Sequence, residues 1–246
     1  MRRCLRRGFA ALGLTMPLML ASGTFAEEAR GCAGRLGVSR TIPVEELRIG
    51  PQGSPAPMLE AGEVVLTYDD GPANGATREV LAALAEECVS ATFFLLGQQA
   101  DRDRALARRV AAAGHTIGTH THSHPNLAAM PLAEAVAEIR RGVAAVRRAV
   151  PSAPLRLFRF PFLADSPALL QAAHEAGLVP LRAELDGEDW SGNSCAEIVA
   201  KVMGALDATG RGVVLLHDVM PNTACATRTL LRRLRAGGYR VVHLTG

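Results

Sequence analysis

The chain has 246 residues, of which 48% are hydrophobic, 21% charged and only 4% aromatic. That length accommodates one substantial domain whose core needs neither a metal nor a disulfide. The composition excludes a collagen, a mucin-like stalk and a mainly disordered chain. Arg2, Arg3, Arg6 and Arg7 precede FAALGLTMPLMLASGTFA, an apolar run ending in small residues. Residues 1–26 therefore read as a secretory signal peptide. Removing them takes four positive charges and no negative ones from the formal +3, leaving −1. A nucleic-acid partner then has no electrostatic support.

The apolar run is shorter than the roughly 20 residues that a membrane crossing needs. No stable membrane insertion is expected after cleavage; a retained N-terminal anchor is the alternative. Export places the protein in the periplasm or outside the cell, where thiols are oxidised. Intact-mass measurement of the exported protein should give a chain beginning near Glu27, and a dominant full-length cytoplasmic species would contradict export. Cys32, Cys88, Cys195 and Cys225 remain, an even number that permits three pairings. None lies in a CxxC pair, which disfavours a thiolate zinc cluster. Cys88 reads equally well as a small buried helix-face residue or as half of a disulfide.

Residues 27–62, with EEARG and PQGSPAP, lack sustained periodicity and read as an N-terminal arm packing on the domain, with a short strand near Thr41–Val44. From residue 63 to 246 the pattern changes. VVLTY, ATFFL, LRLF, LVPL, VVLL and YRVVHL are short apolar strand candidates separated by helical segments. The clearest helix runs from Pro131 to Val150, where Leu132, Val136, Ile139, Val143, Val146 and Val150 form one apolar stripe. Gly114 and Gly177 suit helix ends, and Ser194 with Glu197 suits a capping box. Alternating strands and helices imply an α/β domain with a parallel sheet, open or closed into a barrel.

Five segments carry chemistry. TYDDGP follows an apolar strand, where α/β proteins place functional loops. Its Asp69 and Asp70 could divide metal binding and proton transfer between them, or merely shape an Asx-type turn. GHTIGTHTHSHPNL holds four of the seven histidines, His115, His120, His122 and His124. His120 and His124 would share one face of a helical turn, whereas an extended segment would also align His122. Two imidazoles with Asp70 would give a three-ligand zinc site with an open position. In LRLFRFPF, Arg159 can fix a neighbouring carboxylate in a fork geometry or simply lie at a strand edge. ELDGEDW and VVLLHDV contribute Trp190, which either walls a sugar groove or packs in the core, and His217 at a strand end. His217 suits a general acid whose pKa Asp186 raises, or a satisfied buried histidine. Cys195–Cys225 is the favoured disulfide, because each cysteine begins a predicted helix beside one of these loops.

Taken in order, TYDDGP, HTHSHP, FRFPF, DGEDW and LLHD resemble the five motifs of the polysaccharide deacetylases, carbohydrate esterase family 4. The resemblance covers about Glu63 to Leu244. It implies a distorted (β/α)7 barrel and a metal-dependent hydrolase that removes N-acetyl groups from a GlcNAc-containing glycan. It assigns one divalent ion, Zn2+ by default with Co2+ or Ni2+ as alternatives, to Asp70, His120 and His124. It makes Asp69 the general base, His217 the general acid, Asp186 the partner of His217, and Arg159 the residue orienting Asp69. Tyr68, Phe162, Trp190, Leu215 and His122 are the implied substrate contacts, with the Phe162 N–H helping to hold the oxyanion, Leu215 lining the acetyl pocket, and His122 lining the groove or else making an auxiliary metal or proton contact. The implied partner is an acetylated glycan (peptidoglycan, a chitooligosaccharide or an exopolysaccharide), and a monomer is expected. O-deacetylation, another amide hydrolysis on the same fold, and silent carbohydrate binding are the alternatives. A glycosidase fits less well, since it needs two carboxylates separated across a sugar. FRFPF departs from the usual FRPPYG form, which puts the oxyanion loop's geometry in question.

Overall fold

Residues Glu63–Asp69 are buried at all seven positions, as befits a strand with parallel neighbours on both edges and packed layers on both faces. The computed structural model describes residues 32–49 and 55–246, so the expected signal peptide lies outside the described residues. Within the unit Gly34–Gly246, the first strands are β1 (Arg40–Pro43), β2 (Arg48–Ile49), β3 (Pro55–Ala56), β4 (Glu63–Asp69), β5 (Thr92–Leu95) and β6 (Thr116–Thr119). There follow β7 (Leu157–Phe158), β8 (Val179–Pro180), β9 (Leu185–Asp186), β10 (Gly212–His217) and β11 (Arg240–Thr245). The helices are α1 (Ala76–Glu86), α2 (Gly97–Arg102), α3 (Arg104–Ala112), α4 (Leu132–Ala149), α5 (Pro167–Glu175), α6 (Cys195–Thr209) and α7 (Thr223–Ala236). Among the described residues, no helix is long and apolar enough to cross a membrane.

The strands β4 to β10 form a ring of seven parallel strands. β4 pairs with β5, β5 with β6, β6 with β7 and β7 with β8, while β10 joins β4 to β9. No pairing among the described residues joins β8 to β9, and no helix separates them. That gap distorts the (β/α)7 barrel. β11 pairs with the start of β4 at Glu63 and Val64, and β1 extends β11.

Period-two alternation assigns each strand residue to a layer. Val64, Leu66 and Tyr68 pack outward among helix residues such as Leu84, Leu230 and Leu231. Val65 points inward with Phe94, Leu157 and Val213. Thr67 and Asp69 follow Val65 on that inner face, so β4 delivers a hydroxyl and a carboxylate to the barrel interior. On β10 the same rule sends Val214 and Leu216 outward, leaving Leu215 and His217 facing in.

The expected helix over 131–150 is α4, although Leu132 at the start of the stripe is 48% exposed. Gly142 on α4 is required by close packing: a Cβ there would lie 2.4 Å from the carbonyl carbon of Thr121. The capping box forms, with Ser194 Oγ accepting from Glu197 N–H and Glu197 Oε2 accepting from Ser194 N–H at 2.8 Å. The Cys195–Cys225 disulfide joins the first turns of α6 and α7. Strands β6 and β9 were not among the apolar candidates. TIGT is half polar and LD is two residues long, so neither displays a hydrophobic period.

Candidate metal centre and active site

Asp70 immediately follows β4 with a left-handed φ of 74°. This aims its carboxylate across the mouth of the barrel. Its Oδ1 lies 3.6 Å from His120 Nε2 and 3.6 Å from His124 Nε2. That oxygen is buried and has no hydrogen-bond partner. A tetrahedral shell with bonds of about 2.0–2.2 Å places neighbouring ligand atoms about 3.4 Å apart. The observed spacing therefore suits one small divalent ion, and an ion would satisfy the stranded oxygen. His120 sits just past β6 and donates from Nδ1 to the Arg159 carbonyl at 2.7 Å, which leaves the Nε2 lone pair free to ligate. Burial lowers its pKa, with His124 adding to that effect against Asp69 and Asp70. The ring is thus held in the neutral, ligating form. Asp70, His120 and His124 form a divalent-metal-binding triad.

The stretch from His120 to Asn126 is neither a helical turn nor an extended segment. Thr121 and His124 adopt left-handed φ values of 68° and 64°, and the Thr121 hydroxyl accepts from the His124 N–H at 3.1 Å. This fold-back brings His124 beside His120, their ring centroids 4.9 Å apart. It turns His122 away from the cavity. A Cβ at Gly97 would lie 2.7 Å from His122 Nδ1, so the imidazole packs against the start of α2. The expectation of His122 as a substrate contact is therefore corrected. H122A should keep about one metal per chain by elemental analysis, whereas H120A and H124A should lose most of it; equal loss in H122A would contradict this ligand assignment.

Asp69 is 2% exposed. Arg159 Nη1 donates to its Oδ1 at 2.8 Å and to Thr67 Oγ1 at 2.7 Å, and Arg159 Nε donates to the Leu181 carbonyl at 3.1 Å. The fully buried guanidinium also lies over the Phe94 ring, 4.3 Å from its centroid. A single guanidinium nitrogen engages Oδ1, rather than the expected two-pronged fork, and Asp69 Oδ2 faces the triad, 3.7 Å from His120 Nε2. Arg159 thus contacts Asp69 directly, within the barrel interior.

His217 ends β10 and faces the same cavity. Its partner is Asp189 rather than the expected Asp186. His217 Nδ1 bonds Asp189 Oδ1 at 2.7 Å, the His217 N–H donates to Asp189 Oδ2 at 2.8 Å, and the Thr223 hydroxyl also donates to Oδ2. The reason is local. Asp186 closes its own turn by accepting from the Glu188 N–H at 2.7 Å, and Glu188 at φ 48° then swings Asp189 beneath β10. Burial pulls the His217 pKa down, but the Asp189 hydrogen bond and the charges of Asp69, Asp189 and Asp70 outweigh it, raising the value to about 9.

The cavity between these groups has a volume of about 390 Å³ and is lined by Phe162, Asp186, Trp190 and Leu215 as well as the polar residues. Trp190 and Phe162 stand 57% and 66% exposed at its mouth. The Phe162 ring meets His124 edge-on at 4.7 Å. Tyr68 does not reach the cavity, which corrects its assignment as a substrate contact. It lies on the outer face of β4, fully buried, stacked on Phe93 and hydrogen-bonded to Thr227 at 3.0 Å.

Asp218 was not singled out in the sequence, although LLHD contains it. It is fully buried, with Oδ2 accepting from Thr77 Oγ1 at 2.5 Å. A Cβ at Gly71 would lie 2.2 Å from the same oxygen, so only glycine lets the Gly71–Pro72 turn close over it. Burial raises the Asp218 pKa to about 7, with Asp70 and Asp69 adding to the shift and the Thr77 bond opposing it. The folded protein then holds this proton more tightly than the unfolded chain. The stability it contributes is full below about pH 4 and is lost as pH rises through about 7. Metal-free D218N should show a smaller drop in Tm between pH 5 and pH 8 than the metal-free parent, and parallel profiles would contradict this.

The polysaccharide deacetylase family profile matches residues 58–181. A chitooligosaccharide deacetylase from Sinorhizobium fredii is 37% identical over 161 residues, covering 65% of this chain and 74% of that protein. A peptidoglycan-N-acetylglucosamine deacetylase from Listeria monocytogenes is 33% identical over 179 residues, 73% of this chain but 37% of the relative's length. Among solved structures, a family 4 carbohydrate esterase from Streptomyces lividans in complex with acetate superposes with a TM-score of 0.66 at 31% identity, covering 73% of this chain and 91% of that one.

Proposed function

Because the chain belongs to the polysaccharide deacetylase family, we propose that it hydrolyses N-acetyl groups on a glycan built from N-acetylglucosamine. The triad and the family together support a metal-dependent deacetylase. The observation that carries the finer reading is the placing of two unlike proton carriers, Asp69 and His217, in one cavity with the unpartnered oxygen of Asp70. Both curated relatives described above are named for substrates containing N-acetylated glucosamine, which favours that class here.

Asp70, His120 and His124 would hold a divalent ion, which would supply Lewis acidity and lower the pKa of a water molecule. Asp69, fixed by Arg159 through one oxygen, accepts the proton of the attacking water on Oδ2. The Phe162 N–H donates to the oxyanion as the carbonyl carbon becomes tetrahedral. His217, held through Nδ1 by Asp189, gives a proton from Nε2 to the departing sugar amine. Trp190 and Leu215 exclude water around the acetyl methyl.

The test is a product-identified panel of N-acetylated peptidoglycan, chitooligosaccharides and exopolysaccharide, alongside an O-acetylated xylan. Free glucosamine units and acetate in equal amounts are the expected products. Acetate from the O-acetylated substrate alone would replace this reading with an ester hydrolase.

A further inference from the structure

The loop after β7 contains two successive residues in a backbone region that L side chains rarely adopt, Phe162 at φ 58° and Leu163 at φ 52°. Both line the cavity. Such a pair persists only where the surroundings hold it. Within the loop, the Leu163 N–H donates to Phe160 O at 3.0 Å and the Ala164 N–H to Pro161 O at 3.1 Å. These bonds close the turn but leave the Leu163 carbonyl to an outside donor.

That donor is Arg182, just beyond β8. Its Nη1 donates to the Leu163 carbonyl at 3.0 Å and to Asp165 Oδ2 at 2.5 Å. One nitrogen thus ties the turn to the segment that begins α5. Arg182 follows Leu181, whose carbonyl accepts from Arg159, so the clamp is anchored on the strand end that also fixes Asp69. Its Nε is buried without a hydrogen-bond partner, a cost that a merely decorative surface ion pair would avoid by turning to solvent.

We propose that Arg182 is a positioning residue: through Leu163 and Asp165 it holds the left-handed turn that aims the Phe162 N–H into the cavity. This rests on the assignment of that N–H to the oxyanion. Glycine would adopt the Leu163 conformation without a side-chain penalty. With leucine there, the external clamp does the work that backbone freedom would otherwise do. Misdirecting one oxyanion donor slows the chemical step without removing the metal or the proton carriers.

The experiment compares R182A, D165N, L163G and the R182A/L163G double variant as metal-loaded full chains. R182A should lower kcat by roughly 10-fold or more while KM changes less than about 3-fold, within the range for a weakened oxyanion donor. D165N should fall in the same direction by less, and it carries the test if R182A fails to fold. The double variant should recover most of the R182A loss, which a purely structural role for Arg182 would not produce. Calorimetric binding of acetate should weaken in R182A and recover in the double variant. Unchanged kcat and acetate affinity in R182A and D165N, or a double variant as slow as R182A, would overturn the proposal. Should the parent protein deacetylate no glycan, the functional reading fails, and the acetate measurements still decide the role of Arg182.

Discussion

D69N is expected to keep close to one metal per chain and to lose roughly 10²-fold or more in kcat/KM, the scale of a lost general base. Asparagine preserves the oxygen that accepts from Arg159 Nη1, so the buried guanidinium keeps a partner and the barrel interior keeps its packing. What disappears is the basicity of the oxygen beside the triad. Asp69 approaches His120 at 3.7 Å but is not one of the three groups that converge on a metal position. Metal content and rate should therefore separate in this variant. H120A is the contrasting case, because there both should fall together. A D69N protein with full metal and near-parental turnover would remove Asp69 from the base role.

The second large effect concerns His217 and identifies its true partner. The protonated ring is the active form of a general acid, so kcat/KM should fall as pH rises through the His217 pKa. Burial lowers that pKa, and the hydrogen bond that the ring donates to Asp189 is the foremost influence raising it, to about 9. D189N removes the carboxylate charge, so that only Asp69 and Asp70 oppose burial. The basic limb should move to lower pH, and the rate at pH 8 should drop by roughly 10-fold or more as the acid loses its proton. D186N should leave the basic limb in place, because Asp186 bonds the Glu188 N–H and not the imidazole. Steady-state rates across pH 6–10 for both variants, each with metal content measured, separate the two aspartates. A limb that moves in D186N and stays in D189N would reverse the assignment.

The metal triad and the neighbouring Asp69 were legible because they occupy short contiguous motifs at strand ends. TYDDGP and HTHSHP carry their chemistry in residue type and spacing, and Arg159 lies one residue beyond β7. Long elements were legible too: α4 shows its stripe over several turns, and the Ser194–Glu197 cap is written within four residues. Tyr68 was misread although the signal was present. A residue between inward-facing Thr67 and Asp69 must point out of the barrel by strand alternation. His122 and Asp186 were misread for a different reason. Left-handed residues at Thr121, His124 and Glu188 redirect the chain there, and no periodicity announces them. Two carboxylates three residues apart, Asp186 and Asp189, look alike in sequence; only burial beneath β10 distinguishes them. The roles of Asp218 and Arg182 depend on contacts across 141 and 19 residues, which no local pattern encodes.

The most direct measurement is acetate release from an N-acetylglucosamine oligomer, titrated with a divalent ion into stripped protein, with free amine counted in the same samples. Acetate and amine should appear together, rise with added ion until about one equivalent per chain, and stay near background in an H120A/H124A variant. Equal release by stripped and reconstituted protein, or acetate without a matching amine, would contradict a metal-dependent N-deacetylase.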